Sequence, residues 1–262
     1  MTTKKQFSTI PEIISAIHLG EMVIVVDDED RENEGDFVMP ADTVTPEAIN
    51  FMTKYGRGLI CTPITKERAV ELQLEEMAHQ NTSLHGTQFT VSVDAVNNTS
   101  TGISAFDRYE TIKALNNPDS KPVDLARPGH IFPIVGCPEG VLERAGHTEA
   151  AIDLARLAGF QTTSVLCEII DNDGRMAKRD RLLEIAAEHN LKIMTIADLI
   201  TYRRQTEKMI ECTAVSDFPN RFGNFKLHLY RHIQTDENHI ALVKGNITEK
   251  TKPLVRVHSE CL

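Results

Sequence analysis

Met22-Val-Ile-Val-Val-Asp-Asp-Glu-Asp-Arg-Glu-Asn-Glu-Gly-Asp-Phe-Val-Met39 sets two apolar segments on either side of an acidic run. The β-branched residues Val23 to Val26 and the apolar Phe37 to Met39 read as strands. Between Asp27 and Asp36 stand seven carboxylates and one arginine. Acidic runs ordinarily lie on a tail or a polar helix face, where like charges repel and stay extended. Here the run is pinned at a strand end, and carboxylates crowded there need a counter-charge. Two readings are open: a charged surface loop between strands, or oxygen ligands for a divalent cation. Mg²⁺ usually takes one or two carboxylates, with waters and substrate oxygens completing its shell.

Strands and helices alternate outward from this stretch. Thr9-Ile-Pro-Glu12 has a capping-box pattern, Ile10, Ile13, Ile14 and Ile17 follow at helical spacing, and Gly20 is a natural stop. Helices are expected at 46–55, 66–72, 105–116, 148–157 and 181–189, and strands at 58–61, 88–93 and 164–170. The stretch 122–138 is broken by Pro128, Gly129, Pro133 and Gly136, which predicts short extended pieces. This mixture predicts an α/β (α+β sandwich) fold, a mixed twisted β-sheet flanked by helices. The register changes after Tyr202, and Phe225–Tyr230, His239–Lys244 and Pro253–His258 read as strands of a short C-terminal β fragment. We place the domains at 1–205 and 206–262, the second being short for an independent core.

Composition excludes several functions. The 262 residues are 41% hydrophobic and 25% charged, an ordinary globular balance. A net charge of −10 argues against nucleic acid, which needs a basic face. No apolar stretch approaches the roughly 20 residues of a membrane helix, and the N-terminus lacks a signal peptide's apolar core; a cytoplasmic protein is expected. The five cysteines are scattered and lack C-x-x-C spacing, so they read as reduced thiols.

Five further groups carry chemistry. Arg144-Ala-Gly-His-Thr-Glu149 leads into a helix, where free N–H groups and the dipole favour a phosphate and Arg144 would add a bidentate contact. For Thr148 the competing reading is a plain N-cap, and for His147 a structural histidine rather than a ligand or proton shuttle. His130, on irregular backbone, suits a general acid or base. Glu168 lies in an apolar strand, where an unpartnered carboxylate is costly; a solvent-facing strand end, a salt bridge and a base raised by burial remain open. Cys61 reads as a buried hydrophobe before an activated thiol. The hydroxyl-rich 99–104 loop suits a polyol or phosphate, or simply caps the next helix.

Taken in order, the acidic run, Ser100-Thr-Gly-Ile-Ser-Ala-Phe-Asp-Arg108, Arg127-Pro-Gly-His-Ile-Phe132 and Arg144-Ala-Gly-His-Thr-Glu-Ala150 closely resemble 3,4-dihydroxy-2-butanone 4-phosphate synthase of riboflavin biosynthesis, over about Phe7 to Tyr202. The resemblance implies a lyase that converts D-ribulose 5-phosphate to L-3,4-dihydroxy-2-butanone 4-phosphate and formate with Mg²⁺ or Mn²⁺. It implies metal ligands at Glu32 and His147. Sugar-phosphate contacts are implied at Arg31, Glu32, Asp36, Arg144, Ala145, Gly146, His147, Thr148 and Glu168, and a catalytic pair at His130 and Glu168. It further implies a homodimer with shared active sites. His239–Gly245 and Pro253–Leu262 resemble the beginning of GTP cyclohydrolase II, with Cys261 matching the first of three zinc cysteines. The tail is therefore expected to be a remnant or truncated form without that activity.

Overall fold

The computed structural model describes residues 7–233, 235–248 and 250–259. The chain divides into two compact units, Met1–Gln205 and Thr206–Leu262. The first begins with α1 (Ile10–His18), whose start is fixed by Glu12: its carboxylate accepts from both the backbone N–H and the hydroxyl of Thr9 at 2.8 Å. Strands β1 (Val23–Val26) and β2 (Gly35–Pro40) flank the acidic loop as expected, and both are buried along their whole length. There follow α2 (Pro46–Phe51), β3 (Cys61–Ile64), α3 (Lys66–Glu71), β4 (Gln88–Phe89), β5 (Val93–Ala95), α4 (Ala105–Asn116) and β6 (Leu125–Val135). The unit is completed by α5 (His147–Leu157), β7 (Ser164–Glu168), α6 (Arg179–Glu188), β8 (Lys192–Thr195) and α7 (Ile196–Thr206).

The sheet order is β4-β6-β3-β7-β2-β1-β8, with β5 also on β6. Its pairings are mixed: β3 runs parallel to β6 and antiparallel to β7, and β1 runs antiparallel to β2 and parallel to β8. The alternation of strand side chains divides the core in two. Ile24, Phe37 and Cys167 pack with Ile49 of α2, Ile112 of α4 and Leu182 of α6. On the other face Val25, Val38 and Leu166 pack with Ile13 of α1, Leu154 of α5 and Leu199 of α7. Strands covered on both faces need continuous apolar runs, as Val23–Val26 supplies. Burying each such side chain contributes roughly 1.5–3 kcal/mol.

Several local expectations are corrected. The 46–55 helix is α2 followed by a π-helical turn, Met52–Gly56, and the strand expected at 58–61 starts only at Cys61. Residues 88–93 form no single strand: they break between β4 and β5, where Thr90 turns inward and donates to Pro133 O. The stretch expected as short extended pieces contains one eleven-residue strand, β6, because its three partners β3, β4 and β5 are short and leave Pro128 without a register partner. β8 and α7 had no counterpart in the sequence reading.

The second unit is an antiparallel sheet of β9 (Ile210–Asn220), β10 (Gly223–His232) and β11 (Asn238–Val243). β9 was not foreseen, since Pro219 marked a break; it sits one residue from the strand end. Pro253–His258 forms no strand, and its Leu254, Val255 and Val257 are exposed. Cys261 lies outside the described residues. Among the described residues no helix is long and apolar enough to cross a membrane.

Candidate active site

The acidic loop is folded by its own first member. Asp27, buried just past β1, accepts from Arg31 Nη1 at 2.9 Å, from Glu32 N at 3.1 Å and from Glu34 N at 2.9 Å. One carboxylate thus collects two backbone donors and a guanidinium, so the loop turns sharply instead of extending by self-repulsion. Arg31 Nη1 also pairs with Glu32 Oε2 at 2.9 Å, which directs the Glu32 carboxylate inward.

There Glu32 meets the start of α5. Gly146 is the extended residue before that helix, which makes His147 its first residue and Thr148 its second; Thr148 is buried and is not the N-cap. His147 Nδ1 stands 3.6 Å from Glu32 Oε2, and His85 Nε2 lies 3.8 Å from Glu32 Oε1. The adjacent imidazole of His147, with Arg31, holds the Glu32 carboxyl down at about 2 despite partial burial. Burial opposes charge on His147, but Asp36 and Glu32 outweigh it and carry the imidazole up to about 9. Burial pushes Asp36, on β2, up to about 7.

Ligand atoms of Asp27, Glu32 and His147 lie within 4.8 Å of one another. Among the described residues, buried His147 Nε2 and Asp36 Oδ1 have no hydrogen-bond partner. Buried polar atoms are rarely left so. Carboxylate oxygens with one imidazole are a donor set that a divalent cation accepts, so these residues fit a bound metal.

Sheet register sets Asp36 beside Glu168 and puts His130 at the same end of the sheet. Asp36 faces Glu168 across β2 and β7. Glu168 lies two residues beyond Leu166 and His130 two before Phe132, and both of these pair with Cys61 of β3. Because β3 is parallel to β6 and antiparallel to β7, the two displacements lead to the same end of the sheet, two strand spacings or about 10 Å apart. By alternation Asp36, Glu168 and His130 share the face of Val38, Leu166 and Ile134, the one α5 covers. Glu168 is half-buried, and its Oε2 accepts from Leu59 N at 2.7 Å, so it lies at a strand end and is not paired in a salt bridge among the described contacts. His130 Nδ1 stands 2.8 Å from Asp94 Oδ2.

Arg144 departs from expectation. Its Nη1 donates to both oxygens of buried Glu149, at 3.2 and 3.1 Å, and Nη2 to His85 O and Thr87 Oγ1, both at 3.1 Å. The guanidinium is thereby fixed as a positive charge whose two terminal nitrogens are already engaged. A Cβ added at Gly146 would lie 3.3 Å from Arg144 Nη1 and 3.4 Å from Arg31 Nη2, so both arginines border this backbone. Ala145 is exposed in the turn between them. Cys61 is buried and burial raises its thiol well above the ordinary value, as expected of an inert side chain. Three of the four hydroxyls of 99–104 are used internally: Ser104 caps α4, Ser100 binds Asp107, and Thr99 donates to Ala95 O.

Sequence reasoning missed the separate roles of Asp27, His85, Asp94 and Glu149. Asp27 was only one carboxylate among seven. Asp94 carried a faint signal, a charged residue on alternate positions with Val91 and Val93. His85 meets Glu32 only across the fold, while Glu149 turns back onto Arg144 five residues before it and onto Cys137 N.

Residues 11–202 match the sequence profile of 3,4-dihydroxy-2-butanone 4-phosphate synthase, and residues 211–262 match that of GTP cyclohydrolase II. The riboflavin biosynthesis protein RibBA of Aquifex aeolicus is 56% identical over 259 residues, 98% of this chain and 64% of that protein. The chain therefore spans about two thirds of the length of such relatives, somewhat under it. The monofunctional riboflavin biosynthesis protein RIBA 2 of Arabidopsis thaliana is 51% identical over 98% of this chain and 54% of its own length. Among solved structures, RibBX, a two-domain 3,4-dihydroxy-2-butanone 4-phosphate synthase from A. baumannii, superposes with a TM-score of 0.82 at 47% identity, covering 91% of this chain and 70% of that one. A 3,4-dihydroxy-2-butanone 4-phosphate synthase in complex with two magnesium ions gives 0.74 at 42% identity, covering 76% and 98%.

Proposed function

The chain belongs to the 3,4-dihydroxy-2-butanone 4-phosphate synthase family, and from that premise we propose that residues 1–205 convert D-ribulose 5-phosphate to L-3,4-dihydroxy-2-butanone 4-phosphate and formate. The observation that carries the proposal is the cluster of Asp27, Glu32 and His147 with the partnerless Nε2. Glu32 and His147 would hold Mg²⁺ or Mn²⁺, with Asp27 beside them. Bound there, the metal would polarise adjacent hydroxyl and carbonyl oxygens of the sugar.

The remaining chemistry falls to side chains. Arg31 and Arg144 supply fixed positive charge, and Gly146, His147 and Thr148 lie at the positive end of α5, where a phosphate is favoured. Ala145 contributes backbone in that turn, and Asp36 accepts from a sugar hydroxyl. His130 and Glu168, about two strand spacings apart on one face, move protons during enolisation, skeletal rearrangement and loss of one carbon.

The same reading takes the protein as a cytoplasmic homodimer with shared active sites, and residues 206–262 as a GTP cyclohydrolase II-like segment. A dimer is supported by the exposed apolar side chains of Ile103 and Phe106, 56% and 67% exposed, in the loop leading into α4 and its first turn. Formate release from ribulose 5-phosphate, followed with and without a chelator, tests the reading. Metal-dependent release is expected; full turnover after exhaustive metal removal would refute it.

A further inference from the structure

We propose that Asp94 is a positioning residue that fixes the tautomer of His130, so that Nε2 is the nitrogen through which the proton moves; this rests on the reading of His130 as a proton carrier. Asp94 meets the histidine twice. Its Oδ1 accepts from His130 N at 2.8 Å, and its Oδ2 lies 2.8 Å from His130 Nδ1. An ionised carboxylate can only accept, so the second contact requires the proton on Nδ1. In the neutral ring the free lone pair is then on Nε2. Among the described residues no hydrogen bond is made to Nε2. The ring is 42% exposed while the Asp94 side chain is only 14% exposed, so the pair presents the imidazole and hides its support.

That support is closely built. Gly102, at φ +96°, packs directly on the contact: an added Cβ would lie 2.1 Å from Asp94 Oδ2 and 2.4 Å from His130 Nδ1. Gly102 is held in turn by Asp107, whose carboxylate accepts from Gly102 N at 3.1 Å and from the N and Oγ of Ser100 at 2.8 Å each. Asp107, Gly102, Asp94 and His130 thus form one contiguous stack from α4 to β6. When Nε2 takes a proton from a substrate carbon or hydroxyl, the ring becomes imidazolium. Nδ1–H stays on Asp94, whose negative charge faces the new positive one. Return of the Nε2 proton to the product restores the neutral ring.

A mere tie between β5 and β6 would affect stability and leave kcat alone, which makes the two roles separable. In the neutral imidazole, ¹⁵N-histidine NMR of the full chain should show His130 with its proton on Nδ1. Asp94→Asn should disturb this, because an amide N–H can donate to Nδ1 and invert the tautomer. The same variant should lower kcat about 10²- to 10⁴-fold, with KM changed by less than about threefold. Asp94→Glu, which restores a carboxylate, should recover at least about tenfold of that loss. A wild-type proton on Nε2, or kcat of Asp94→Asn within about threefold of the parent, would overturn the proposal. The wild-type tautomer is read without any substitution, so a misfolded variant does not shield it. Unchanged kcat in His130→Ala would instead overturn the proton-carrier reading, whatever tautomer is found.

Discussion

Asp27 illustrates how one side chain decides what a run of like charges becomes. By accepting two backbone N–H groups and Arg31 it folds the loop and leaves Glu32 facing His147. Glu32→Gln should keep the loop's shape while removing one metal-ligand charge. Mg²⁺ affinity measured by calorimetry should fall at least about tenfold, with the melting temperature nearly unchanged. Glu168 makes a different prediction. Its carboxylate is half-buried and held by a single N–H, Leu59 N, among the described contacts. Glu168→Ala should therefore lower kcat by about 10²-fold or more, the usual contribution of a positioned acid or base, with little change in thermal stability. A large stability loss with activity within about tenfold of the parent would identify a structural carboxylate instead. The residue types of the site were legible in the sequence, because carboxylates, histidines and arginines there sit in unusual contexts. Their partners were not: Arg144 read as a bidentate phosphate donor, and only the fold shows its Nη1 engaged by Glu149.

Elements position these residues through their ends. The start of α4 is held by Ser104 and by Asp107, which reaches back to Ser100 and Gly102. The backbone and hydroxyl hydrogen bonds from Ser100 hold the buried Asp107 carboxyl down at about 2, from an ordinary 3.8. A carboxylate depressed in the folded state stabilises it above the unfolded pKa, and that contribution is lost as pH falls from about 4 toward about 2. Asp107→Asn should therefore be less stable than the parent at neutral pH, and its melting temperature should fall less steeply between pH 4 and pH 2. Thermal melts across that interval check the sign; parallel curves would mean that the carboxylate's charge contributes nothing. Helices with clear periodicity or caps, α1 and α4, were readable to within a residue or two. β4, β5 and β6 were not: residues 88–93 alternate as one strand would, yet they split into β4 and β5, and β6 takes its register from these and from β3.

At the scale of the molecule, Asp27, Glu32, Asp36, His130, Arg144, His147 and Glu168 all belong to the unit that ends at Gln205. A chain of residues 1–205 should thus melt cooperatively and release formate from ribulose 5-phosphate at nearly the parental rate. A loss greater than about tenfold, the scale of a lost catalytic contribution, would show that residues 206–262 support the site. The sequence by itself determined the layered α/β class and the buried strands β1 and β2. It also determined the identity of the chemically able residues, since periodicity, caps and side-chain chemistry are local properties of the chain. Only the tertiary structure decided which of those residues meet. β3 joins β6 in parallel and β7 in antiparallel register, and that pairing carries His130 and Glu168, 38 positions apart in the chain, to one end of one face of the sheet. Register is set by long-range packing of both sheet faces, and no local segment encodes it.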